Sequence, residues 1–77
     1  MIQKYKFVEN NIDILRMLTK NGYVSSNLLV YYNIYKTYMS VKDSSKMYRY
    51  SIVAKETRSS LTTVRRAVAE MKTYIRN

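Results

Sequence analysis

Five carboxylates, Glu9, Asp13, Asp43, Glu56 and Glu70, are the whole acidic supply of a 77-residue chain that contains no histidine and no cysteine. General acid–base catalysis needs a titrating pair held in mutual reach, and a metal site needs several such ligands brought together. Carboxylates that fall singly, without a histidine or thiol beside them, supply neither. The inventory predicts no enzyme, no cofactor, no metal and no small-molecule ligand, and each carboxylate reads as a helix cap or a solvated charge. The chemistry left to the chain belongs to its cations. Fourteen Lys and Arg against five Asp and Glu leave a net charge of +9, which attracts polyanions, nucleic acid first. Residues 1–40 carry five basic and two acidic side chains, and residues 41–77 carry nine and three, so the C-terminal half is the expected polyanion side.

A chain this short makes one domain, 1–77, with one core, and 47% hydrophobic residues are enough to build it without a covalent staple. No proline and a single glycine leave out the turn chemistry of a sandwich or barrel, and the apolar residues recur at helical spacing. The predicted class is all-α, three to four helices. Ile12, Leu15 and Leu18 mark a first helix from Glu9 or Asn11 to Lys20, stopped at Asn21-Gly22. Ser25, Ser26 or Asn27 caps a second, reaching about Ser40. Its broad stripe of Leu28, Tyr31, Tyr32, Tyr35, Tyr38 and Met39, widened by Leu29, Val30, Ile34 and Val41, predicts the central helix. Ser44 or Ser45 caps a third from about Lys46 to Thr57, and Ser59 or Ser60 a fourth from Leu61 to about Ile75. The opening residues 1–8 have three readings: the start of the first helix, a segment crossing the core through Tyr5 and Phe7, or a basic arm.

Two helices joined by a short turn, the second strongly basic, are the means by which many regulators place one helix in the DNA major groove. Residues Tyr50 to Ala69 resemble the twenty-residue helix-turn-helix of prokaryotic DNA-binding proteins, with the unit as a whole at about 46–75. The family wants a small residue at the fifth place, small or apolar ones at the fourth and eighth, and core residues at the fifteenth and eighteenth. Those places hold Ala54, Val53, Thr57, Val64 and Ala67. The strings Val53-Ala54-Lys55-Glu56-Thr57 and Thr62-Thr63-Val64-Arg65-Arg66 are similar to that family's wording. Two places depart from it: the ninth, usually Gly because the turn wants a positive φ, is Arg58, and the tenth, usually apolar, is Ser59. A different turn or a one-residue shift of the helix boundaries would accommodate both.

A 100° rotation per residue, with Leu61, Val64, Val68, Met71 and Ile75 turned inward, places Thr62, Arg66, Ala69 and Thr73 on the opposite, base-reading face. Arg66 can pair bidentately with guanine O6 and N7, and Ala69 permits close approach to a thymine methyl. Thr63, Arg65, Lys72 and Arg76 flank that row as phosphate contacts, joined by Lys55, Arg58 and the capping Ser60. Only Ile75, Arg76 and Asn77 follow the last helix, which predicts a wingless unit. The resemblance implies sequence-specific binding to double-stranded DNA by a small transcription regulator or accessory factor of the phage, plasmid or mobile-element kind. Most such modules bind as symmetric dimers, so a homodimer is admitted.

Three rival readings stand beside it. The chain could be a protein-binding helical module (antitoxin, anti-repressor or phage inhibitor) whose basic face meets an acidic partner surface. It could instead bind RNA or single strands by stacking bases on its tyrosines, or lie on a membrane surface as an amphipathic helix. The first charge precedes any apolar run long enough for a signal-peptide core, and no stretch approaches the ~20 apolar residues of a membrane span. The expectation is a cytoplasmic protein with no membrane partner.

Overall fold

The computed structural model describes residues 1–42 and 45–76. Their element order is β1 (Ile2–Gln3), α1 (Lys4–Asn10), α2 (Ile12–Lys20), α3 (Ser26–Ser40), α4 (Lys46–Thr57), α5 (Leu61–Met71) and β2 (Tyr74–Ile75). The fold is mostly helical, as composition predicts, but the described residues form five helices where the sequence predicts three to four, because residues 1–10 add a helix of their own, and a two-strand sheet joins the chain ends. The expected boundaries hold for α3 and α4 and fail at the two ends of the chain. Residues 1–8 are no arm: they supply a strand and most of a short helix, with Tyr5 packed against the core and Phe7 left 37% exposed. The last helix stops at Met71, short of Ile75. Beyond it Tyr74 and Ile75 run antiparallel to Gln3 and Ile2, and the Lys4 amide donates to the Thr73 carbonyl at 2.7 Å.

Local chemistry explains where each helix starts and stops. Ser25, Ser45 and Ser60 stand in extended backbone before α3, α4 and α5, and each hydroxyl accepts from an amide of the first turn. Ser44, the other candidate cap for α4, lies outside the described residues, as does Asp43. Between α1 and α2 the amide side chain of Asn11 donates to the Phe7 carbonyl at 2.8 Å, occupying an acceptor that the break leaves without a helical partner. Gly22 closes α2 at φ 80°, with the Tyr23 amide reaching back to the Leu18 carbonyl at 2.8 Å.

Helix α3 is the centre of the fold, with α5, α4 and α1 packed around it. Tyr32, Ile34, Tyr35 and Tyr38 point inward, to meet Val8, Leu15, Tyr50, Val53, Val64, Ala67, Val68 and Met71. The predicted stripe is wider than the buried one: Val30 and Met39 are 46% and 53% exposed. Aromatic rings form a continuous run through this core. Tyr5 stacks on Tyr32 and meets Tyr35 edge-on, Tyr35 stacks on Tyr38, and Tyr38 on Tyr50, at centroid distances of 4.8–6.0 Å. Burial and a hydrogen bond to Glu9 push the Tyr5 phenol up to about 12. Burial also raises Tyr35, opposed by the nearby Arg49 charge. These rings are core, and the single-strand stacking platform loses them.

Candidate functional site

The site is built on α5 and on the turn that aims it. Val64, Ala67, Val68 and Met71 are at most 3% exposed, which fixes the helix against α3 and α4 by its apolar face. Thr62, Arg66 and Ala69 are therefore turned outward, and all three are exposed. Two of the five residues expected on the inward face of the helix are not there: Leu61 is 42% exposed, and Ile75 lies in β2 rather than on the helix. Thr73 is corrected for the same reason. The rotation that placed it ceases at Met71, and its hydroxyl donates to the Glu70 carbonyl at 2.6 Å, closing the helix end. It stays exposed and borders an open depression of about 470 Å³ lined by Tyr31, Arg66, Ala69, Glu70 and Thr73.

Charge on this face is free on the basic side. The two ion pairs among the described residues are Lys4–Glu70 at 3.1 Å and Lys6–Glu9 at 3.5 Å. Lys4 holds the one carboxylate of α5, so Arg66, one turn earlier on the same side, has no ion-pair partner. Lys55, Arg58, Arg65, Lys72 and Arg76 are also exposed and outside both pairs. Arg65 lies along the surface of the core: its guanidinium is 6.0 Å from the Tyr50 ring centre and donates to the Met47 sulfur at 3.3 Å. Lys72 follows α5 directly, with its ammonium 5.9 Å from the Tyr38 ring centre.

The turn is Arg58-Ser59-Ser60. Arg58 sits at φ 56° and ψ 39°, the single non-glycine residue in the left-handed region among those described. The positive φ is thus adopted by Arg, at a place where the resembled motif usually has glycine. The Ser59 amide then returns to the Ala54 carbonyl at 2.9 Å, closing α4 as Gly22 closes α2. Ser60 donates to the Thr63 hydroxyl at 2.9 Å while accepting from the Thr63 amide at 3.1 Å. Those two hydroxyls satisfy each other and start α5, leaving the neighbouring amides of the first turn facing outward.

Sequence reasoning missed three residues near this face. Tyr31 and Glu70 border the depression beside Arg66. Arg49 sits half-buried, with its guanidinium 3.9 Å from the Tyr38 ring centre and Nη2 donating to the Tyr38 carbonyl at 3.0 Å. Helical periodicity along α4 carries no signal that Arg49 meets a residue eleven positions earlier. No helix is long and apolar enough to cross a membrane, and no cluster of His, Cys, Asp or Glu that could hold a metal occurs among the described residues. Among known proteins, no family model, no curated protein and no solved structure matches this chain.

Proposed function

We propose that the chain is a small double-stranded DNA-binding protein in which α4, the Arg58–Ser60 turn and α5 form a helix-turn-helix, with α5 entering the major groove. The role that fits is a transcription regulator or mobile-element accessory factor, working in the cytoplasm, with a homodimer as the form that reads a two-fold site. The observation that carries the reading is the outward row Thr62, Arg66 and Ala69, exposed on a helix whose margins bear unpaired cations. A left-handed residue at the ninth place of the motif supports it, because that backbone sets the angle between the two helices. In this reading Arg66 meets a base edge. Arg65, Lys72, Arg76, Arg58, Lys55 and the α5 N-terminus with Ser60 and Thr63 meet phosphates.

The test compares Arg66→Ala with Arg65→Ala on a selected site and on a scrambled duplex at fixed salt. Losing a base-reading arginine costs about 1–3 kcal/mol on the selected site and blurs discrimination at one base pair, whereas losing a phosphate contact weakens both duplexes alike. Equal losses on both duplexes for Arg66→Ala would reduce α5 to a backbone contact. The exposed apolar side chains Phe7, Ile14 and Met17 favour a second reading, a protein-binding module. Duplex affinity that is flat between low and physiological salt would put it first.

A further inference from the structure

Three cations converge on one pair of stacked rings. Tyr38 and Tyr50 lie 5.6 Å apart, centre to centre. Arg49 and Lys72 approach the first ring at 3.9 and 5.9 Å, and Arg65 the second at 6.0 Å. The cations come from α4, from the middle of α5 and from the residue that follows it. Arg65 and Lys72 are seven apart, almost two full helical turns, so both stand on the same side of α5. Among the described residues no carboxylate pairs with any of the three, since the two ion pairs use Glu70 and Glu9 elsewhere. Arg49 is the anomaly. Its Nε is shielded from solvent without an acceptor, although Nη2 is bound to the Tyr38 carbonyl. A half-buried guanidinium with an unmet Nε and no ion pair among the described residues is unfavourable for the fold by itself, because burial removes water. An oxyanion beside the guanidinium offsets that cost. The aromatic pair meanwhile holds the cationic heads against its ring faces, so that little ordering remains to be done on binding.

We infer that Arg49, Arg65 and Lys72, assembled on Tyr38 and Tyr50, form an anion site for phosphate groups, and that its ligand is the phosphodiester backbone of one DNA strand beside α5. The second half of this inference rests on the DNA-binding reading; the first half does not. It adds Arg49 to the binding surface and gives the Tyr38–Tyr50 pair a part in it. Planar Arg heads suit phosphate oxygens, and Lys72 supplies a point charge.

Two arms separate these statements. Inorganic pyrophosphate is titrated at fixed ionic strength while the ring resonances of Tyr38 and Tyr50 are followed by NMR. Saturable shifts are expected in the parent, with affinity weakened roughly tenfold or more in the Arg65→Gln/Lys72→Gln double variant. A Lys20→Gln control is expected to match the parent. Rings that do not respond, or a double variant that binds like the parent, would overturn the site. In the second arm the salt dependence of duplex binding is measured. Arg49→Gln, once circular dichroism shows its helices intact, should lower the slope of log K against log salt by about 0.9, which is about 3.5-fold less loss between 50 and 200 mM. Should Arg49→Gln fail to fold, the double variant carries the same test with a fall of about 1.8. An unchanged slope removes the phosphodiester as ligand. A parent that binds pyrophosphate and no duplex would sink the DNA reading and leave the anion site standing with free phosphate as its source.

Discussion

Replacing Arg58 by glycine should raise stability and, on the proposed DNA-binding reading, lower DNA affinity at once. At φ 56° and ψ 39° an L-residue brings its Cβ close to the following carbonyl, a cost of about 1–2 kcal/mol that glycine escapes. Glycine returns part of that gain, about 0.5–1 kcal/mol, because it has more freedom to lose on folding. The Arg58 side chain is exposed and takes part in neither ion pair, so little packing is lost with it. The net expectation is a stabilisation of about 0.5 kcal/mol, or about 2–4 °C in Tm for a domain of this size. Arg58→Val goes the other way, since a β-branched side chain crowds the left-handed conformation further. Thermal melts by circular dichroism read both variants. Binding moves independently: on the proposed DNA-binding reading Arg58→Gly deletes one phosphate contact, so the salt slope on any duplex falls by about 0.9. A glycine variant that melts below the parent, with a valine variant that melts with it, would refute the left-handed turn and the orientation of α5 that depends on it.

Three further outcomes follow from the same geometry. Val64→Asp should abolish the cooperative melt, since Val64 is 0% exposed where α5 meets the core and an unpaired buried charge costs several kcal/mol; a parent-like melt would overturn the α5 register. Ser60→Ala should destabilise by about 1 kcal/mol in urea titration and Ser60→Thr far less, because the hydroxyl accepts the Thr63 amide; equal midpoints for all three proteins would remove the cap. Tyr5 predicts a pH dependence. Its phenol is raised in the fold from the ordinary value near 10 to about 12, so the stability it contributes is fully present below pH 10 and is lost as pH rises through 12. Urea midpoints measured at pH 9 and pH 11.5 should therefore fall more in the parent than in Tyr5→Phe, and parallel losses would deny Tyr5 that role.

Helices α3 and α4, with the start of α5, were legible in the chain because their signals are local. A serine in extended backbone caps each of the three, and apolar residues at three- and four-residue steps pick out the inward faces of α3 and α5. The outward position of Thr62, Arg66 and Ala69 follows from rotation alone. The same counting overran at Thr73 and Ile75, since the helical period continues through them while the backbone does not. Ile75 instead pairs with Ile2, a partner at the far end of the chain that no local pattern announces. Arg58 is intermediate. The resembled motif wants a positive φ there and the residue type argues against one; the backbone adopts it, with the Ser59 amide closing α4 onto Ala54.

Composition and spacing by themselves determined that this chain has no histidine and no thiol, that it folds mostly as helices, and that its positive charge concentrates in residues 41–77. These are properties of residue inventory and of neighbours within a turn or two, where backbone periodicity is the only geometry needed. Which cations stand free and which stand together was settled by tertiary packing. Lys4 reaches across 66 positions to hold Glu70, leaving Arg66 unpaired, and α3 presents Tyr38 to Arg49 and Lys72 from two other segments. Electrostatic and ring contacts act over a few ångströms of space, whatever the separation along the chain. Only the packing of α4 and α5 on α3 brings those distances into being.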